Sequence, residues 1–196
     1  MSPRGVAIPD LRERLFDAAE RVVARDGAAA LTSRAVTNEA GCAKGVLHTH
    51  FASLDEFVAD LVLDRFARAS AVAEALPPRA GTGTVAENLM AVASAVLSLD
   101  PGVVGLAVTR PAASQRIREA WRTGAPGFGV VQESVEDYLR EERRLGRIAA
   151  GADPQSVALA LVGTLHHLLM TDGAGGSDAR DRVERLVHAL VTVPAP

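Results

Sequence analysis

The chain is poor in the features that announce several large classes of protein. It has one cysteine, Cys42, so an intramolecular disulfide framework is excluded, and the composition suits a reducing compartment. Aromatic residues make up 4% of the chain against 48% hydrophobic residues. A core built from so few rings has to be assembled from Ala, Val and Leu, the composition of packed helices. Charge of one sign is also lacking. The net charge is −3, so any surface for nucleic acid has to be a local patch. No long hydrophobic run is present either. The most apolar stretch, Val157 to Met170, is interrupted by His166 and His167 and is too short to span a bilayer. The opening residues Met1 to Pro9 carry no continuous apolar segment of the export type. The expectation is a cytoplasmic protein with no membrane partner.

What is present is helical periodicity, with no stretch that alternates as a strand does. Leu11, Leu15, Ala19, Val22 and Val23 recur at helical spacing opposite a charged face, and Gly27 stops the run. A short helix over 33–40 is capped by Thr32, and Gly41 breaks it before a second short helix over 44–50. Ser53 and Glu56 form a capping-box pattern that opens a long helix to about Leu76, where Pro77-Pro78 ends it. Thr84 and Glu87 repeat the pattern for a helix to about Leu99. Further helices fit 101–109, 111–122, 130–147, 154–170 and 178–191, with a flexible joint at Gly173 to Gly176. The fold expected is all-α, with an N-terminal helix-turn-helix unit over residues 1–55 and a second helical domain over 56–196.

Two short helices joined at Gly41 and backed by a longer one suit a motif that lays its second helix in the DNA major groove. Leu31, Val36, Ala40, Val46, Leu47 and Phe51 would set the angle between them. Thr32, Ser33, Arg34, Lys44, Gly45, Val46, His48, Thr49 and His50 are the candidate DNA contacts. Arg34 can meet a guanine in bidentate fashion or remain a solvated charge. Lys44 suits a phosphate or a purine edge, and Gly45 allows either close approach to DNA or tight packing. Cys42, His48 and His50 raise a metal reading. Histidines two apart on a helix point to different sides, so no metal site is expected, and no cofactor.

The segment Leu11 to Leu63 resembles the DNA-binding domain of TetR-type regulators. The residues that carry the likeness are Arg12 to Ala19 (Arg-Glu-Arg-Leu-Phe-Asp-Ala-Ala), Gly27, Thr32, Val36, Ala40-Gly41, then Lys44 to Phe51 (Lys-Gly-Val-Leu-His-Thr-His-Phe), Ser53 and Asp55. Three positions depart from that family's pattern. Ala43 stands where a Ser or Thr is usual, which removes a capping or phosphate-contacting hydroxyl. His48 stands where a Tyr is usual and, though smaller, can still donate to a phosphate or a base edge. Leu54 stands where a Lys is usual, which removes a phosphate cation. Each lost phosphate contact would flatten the salt dependence of binding by roughly one unit of slope. Ala152-Asp153-Pro154 leading into Leu161 to Leu165 is similar to the start of a family dimerisation helix. The resemblance implies a repressor that binds double-stranded operator DNA as a homodimer and is released by a small-molecule effector.

In the second domain Asn88, Thr109, Gln132, His166 and His167 are polar groups on apolar stretches, each needing a partner if buried. Together with Trp121 and Phe128 they are the candidate ligand residues. For the histidines, cavity, subunit interface and satisfied core position all stay open; for the rings, pocket wall and plain core do. Small residues Ala160 and Gly163 with Leu169, Leu186 and Leu190 are the candidate dimer contacts. The mixed charge run Arg140 to Arg144 reads as a solvated face. No nucleophile–base–acid set, phosphate loop or metal spacing is present, so no enzyme is expected. Two other readings are a constitutive DNA-binding dimer with a filled core, and a helical small-molecule-binding protein whose helix-turn-helix is incidental.

Overall fold

The structure is a computed structural model that describes residues 11–171 and 177–191. Among the described residues ten α-helices follow in order: α1 (Leu11–Asp26), α2 (Ser33–Glu39), α3 (Val46–His50), α4 (Leu54–Glu74), α5 (Val85–Leu97), α6 (Pro101–Thr109), α7 (Pro111–Arg122), α8 (Phe128–Arg144), α9 (Pro154–Thr171) and α10 (Ser177–Val191). Short 3-10 turns occupy Ala28–Ala30 and Pro77–Arg79, and no strand occurs among the described residues. The expected all-α fold is therefore observed. The joint expected at Gly173 to Gly176 lies outside the described residues.

Local chemistry sets the helix ends. Thr32 accepts from the Ala35 amide at 3.1 Å and starts α2. Thr84 and Glu87 make both bonds of a capping box at the start of α5. At α4 only half of that box forms. Ser53 accepts from the Glu56 amide, while Glu56 reaches past Ser53 to the Ala52 amide at 2.9 Å. The recognition-type helix α3 begins two residues later than its periodicity suggests. Ala43 has no side-chain oxygen to cap it, and Gly45 supplies no side-chain bond.

One continuous core runs from α1 to α10. In the N-terminal unit the rings of Phe16, Phe51 and Phe57 pack with centroids 5.0 to 6.3 Å apart. They join α1 to the end of α3 and the start of α4. In the remainder, α8 and α9 pack side by side, α4 rests on α5, α7 and α8, and α10 packs on α5 and α9. Among the described residues no single helix is long and apolar enough to cross a membrane, and the apolar pair α5–α6 is bent by 60°.

The charge run on α8 is not all solvated, which corrects that expectation. Arg140 and Arg144 do form exposed pairs with Glu136, Asp137 and Glu141. Glu142, however, is 0% exposed. It accepts from the Gly81 amide at 3.1 Å and faces the Arg147 guanidinium at 2.7 Å. Arg147 in turn donates to the Gly81 and Gly83 carbonyls. The buried Asn88 amide beside this group donates to Thr82 O at 2.8 Å and to the Tyr138 hydroxyl at 3.0 Å. Burial pushes the Tyr138 hydroxyl up from its ordinary pKa, opposed by the Asn88 bond and reinforced by Glu142. This network fastens the loop after α4 to the end of α8.

Candidate functional site

The helix-turn-helix is built on a buried wedge. Leu31, Val36, Leu47 and Phe51 are buried and Ala40 nearly so, which fixes α3 against α1 and α2. Val46 is half-buried at the edge of this wedge. The turn is closed by Gly41 at φ +65°, a conformation that favours glycine. The Cys42 amide donates to Thr37 O at 3.0 Å. Thr37 itself is fully buried, and its hydroxyl donates to the Ser33 and Arg34 carbonyls. Arg14 on α1 donates to the carbonyl of Ala40, the residue that closes α2, at 2.9 Å.

On the opposite side stand the predicted DNA contacts. Thr32, Arg34, Lys44, Gly45, His48, Thr49 and His50 are exposed, and Ser33 is half-exposed. A Cβ added at Gly45 would meet nothing within 4 Å, and its φ of −81° is ordinary. Tight packing inside the chain therefore does not require this glycine. Among the described residues no group of three or more His, Cys, Asp or Glu is placed to hold a metal ion.

Residues 15–61 match the family model described as bacterial regulatory proteins, tetR family. These residues are a TetR-family DNA-binding domain. Solved structures extend the likeness beyond it. A protein assigned to the TetR-family transcriptional regulators, from Mesorhizobium loti MAFF303099, superposes with a TM-score of 0.65 at 16% identity, covering 91% of this chain and 94% of its own. The regulator FadR from Bacillus subtilis, solved with stearoyl-CoA, gives 0.65 at 19% identity over 92% and 97%. The multidrug-binding protein EbrR, solved with imidazole, gives 0.54 at 24% identity over 96% and 98%. At these identities the likeness shows a shared fold. A search of curated proteins gives no match. The function that the domain carries is that of a DNA-binding transcriptional regulator.

The TetR-type domain is fastened to the rest of the chain at three places. Arg65 on α4, largely buried, makes ion pairs of 2.7 to 2.9 Å with Glu13, Asp17 and Glu20 of α1 and with Asp64. Desolvation pushes the Glu13 carboxyl up, but Arg68 and Arg65 outweigh it and hold the pKa below the ordinary carboxylate value. Arg110, between α6 and α7, holds Asp55 at the start of α4 at 2.7 Å. Gly102, in the first turn of α6, lies so close to α1 that a Cβ there would sit 2.5 Å from Val23 Cγ1. Nothing in the charge pattern singled out Arg65 or Arg110; both are lone arginines whose partners are far off in sequence.

The predicted ligand residues divide. Trp121 and Phe128 both meet Phe66 edge-on, and His166 meets Phe128 in the same way, with ring centroids 5.0 to 5.3 Å apart. Trp121 Nε1 donates to Pro126 O at 3.2 Å. Gln132, half-buried, stands one turn beyond Phe128 on α8. The others are placed elsewhere. The Asn88 amide nitrogen is occupied by Thr82 and Tyr138, Thr109 is exposed with its hydroxyl returned to Gly105 O, and His167 is exposed. Neither His166 nor His167 is a core histidine. Open grooves lie between the helices among the described residues. One of about 560 Å³ lies between α1, α4 and the α5–α6 corner, one of about 320 Å³ between α4 and α5, and one of about 600 Å³ between α4 and α7. Of the predicted ligand residues, Asn88 alone lines any of them.

The outer face of α9 carries an apolar stripe among polar residues that no described residue covers. Leu159 is 57% exposed and Met170 42%, with Gly163 exposed and Ala160 half-exposed between them. His166 and His167 are exposed along the same stretch. Leu169, expected on this face, is 3% exposed and packs in the chain's own core. One residue is a turn of about 100° on a helix, so Met170 takes the outward place. On α10, Leu186 and Leu190 are half-buried beside the buried Val183 and Val187.

Proposed function

We propose that this regulator is a repressor that binds a two-fold symmetric operator as a homodimer in the cytoplasm and is released by a small, largely apolar effector. The observation that carries the reading is α3. It is a five-residue helix anchored inward by Leu47 and presenting three consecutive exposed polar side chains within a TetR-family domain. Arg34 and Lys44 flank it as base-reading and phosphate-binding cations. One such helix reads only a few base pairs, so useful specificity needs a second copy. The α9 stripe of Leu159, Gly163 and Met170 supplies the surface for that copy, since apolar area of this kind marks an interface. Ala160, Leu186 and Leu190 border it.

The effector region is the ring cluster of Phe66, Trp121, Phe128 and His166, with Gln132 as a hydrogen-bonding neighbour. The cluster joins α4 to α7, α8 and α9, so a molecule inserted there bears directly on the helix that continues from the DNA-binding domain. It acts only by binding the DNA-incompetent arrangement more tightly than the competent one. FadR with stearoyl-CoA and EbrR with imidazole show that chains of this fold hold small molecules. The test is a thermal-shift screen of apolar and anionic metabolites, with each hit then assayed against DNA recovered by selection. An apolar hit that raises the melting temperature and lowers DNA affinity supports the reading. Hits confined to polar anions, or hits that never alter DNA affinity, refute the effector.

A further inference from the structure

The five histidines of the chain include two, His48 and His50, on the five-residue α3. Both are exposed, and neither makes a hydrogen bond or an ion pair within the described chain. On a helix they fall on either side of Thr49, which points most directly away from the buried Leu47. The hydroxyl of Thr49 is turned back to Gly45 O at 3.1 Å. A helix lying in the major groove faces base edges with its outermost side and the two phosphate walls with its flanks. The two imidazoles occupy those flanks.

The charged groups around them leave this role open. On α2, Glu39 is held by Arg21 and Arg25, while Arg34 stays exposed. On α4, Asp55 is held by Arg110 and Asp60 by Arg12, and Glu56 accepts from the Ala52 amide. On α1, Glu13 and Asp17 are taken up by Arg65 and Arg68, and Arg14 donates to Ala40 O. Arg12 lies over the Phe51 ring, and in the turn Lys44 is exposed and Cys42 half-buried. Among the described residues no acid is thus left to compensate an imidazolium on α3. A DNA phosphate is the anion that would.

Resting on the DNA-binding reading above, we infer that His48 and His50 are proton-linked phosphate contacts, so that the protein takes up protons when it binds DNA. Histidine ordinarily titrates near ~6.5. A phosphate at ion-pair distance favours the charged form by on the order of one unit. Binding then strengthens as pH falls, because the bound state holds more protons than the free state. Each engaged histidine contributes about sixfold between pH 8 and pH 6. The salt dependence steepens over the same range, by about 0.9 in slope for each imidazolium that meets a phosphate.

The experiment uses the full chain and a labelled duplex of mixed sequence, since phosphate contacts are independent of base order. Anisotropy titrations are run from mildly acidic to mildly alkaline pH at several salt concentrations, for the wild type, His48→Gln, His50→Gln and the double variant. The expected result is a wild-type affinity that rises toward low pH with a steeper salt slope, halved in logarithm by each single change and lost in the double. A flat wild-type profile overturns the inference while leaving DNA binding intact. A dependence that survives in the double variant also overturns it, because the proton uptake then lies at groups other than His48 and His50. Absence of binding at every pH overturns the DNA-binding reading itself.

Discussion

Replacing Gly102 with Ala tests how the DNA-binding domain is seated on the rest of the chain. The added methyl would lie 2.5 Å from Val23 Cγ1 and 3.0 Å from Asp100 Oδ1. Carbon atoms in contact sit at about 3.5–4.0 Å, so α6 and α1 have to separate by about 1 Å. Val23 cannot yield by rotation alone, because its branched side chain is held near one rotamer in a helix and is 4% exposed. Overpacking of this kind costs about 1–3 kcal/mol. Helix propensity favours Ala over Gly by at most about 1 kcal/mol and less in a first turn, so destabilisation wins. Val23→Ala alone should cost about 2 kcal/mol through lost burial and a cavity. Combining the two lets the new methyl enter the vacated space. The double variant should therefore be at least about 1 kcal/mol more stable than the sum of the single effects. Urea unfolding of the four proteins measures this cycle. Additive single effects, or a Gly102→Ala protein as stable as the wild type, would refute the close α1–α6 seating.

Other perturbations probe separate parts. Glu142→Ala leaves the Gly81 amide and the Arg147 guanidinium without their buried partner and should cost about 2–4 kcal/mol, read by thermal or urea unfolding. A loss below half a kcal/mol would show the network to be idle. Gly163→Arg adds a side chain where a Cβ meets nothing within 4 Å, so the single chain should fold normally, sediment as a monomer and bind DNA weakly. A dimeric Gly163→Arg protein with full affinity would contradict the α9 interface. The lowered Glu13 carboxyl gives a pH prediction. Because its folded pKa lies below the unfolded value, its contribution to stability is present above about pH 4.5 and is lost as pH falls through the folded value. Arg65→Ala and Arg68→Ala together should make the acid-range slope of the unfolding profile shallower by Glu13's share, while the lowered Glu39, Glu87, Glu141 and Asp153 keep theirs.

Much of the fold was legible because its boundaries are written in local chemistry. Thr32, Ser53, Thr84 and Asp100 cap the helices they precede, and Pro101 and Pro111 sit in first turns. The late start of α3 follows from Ala43, which cannot cap. Glu142 was hidden by its charged neighbours, although a signal existed. It falls at helical spacing after Val131, Val135 and Tyr138, on the buried stripe of α8. Leu169 was set on the outer face because α9 carries apolar residues on both of its faces, which leaves too little contrast to orient the helix. The polar ligand candidates separated for a different reason. A sequence shows that Asn88 or Thr109 needs a partner, but the partner that satisfies Asn88 is Tyr138, fifty positions away. The exposure of His48, Thr49 and His50 was readable because the short α3 turns Leu47 inward with Val46 half-buried beside it and has no length to bury another side chain.

The central claim is that α2 and α3 read operator DNA in two symmetric copies. The most direct test is selection from random duplexes with the wild type, Arg34→Ala and Lys44→Ala. The wild type should enrich an inverted repeat whose half-sites lie about one helical turn, or a multiple of it, apart. Arg34→Ala should lose preference at one position in each half-site, at a cost of roughly 1–3 kcal/mol on the selected sequence. Lys44→Ala should keep the motif and weaken all sequences alike, with a shallower salt slope. Selection that yields no symmetric motif, or motifs and affinities unchanged in both variants, would contradict the account.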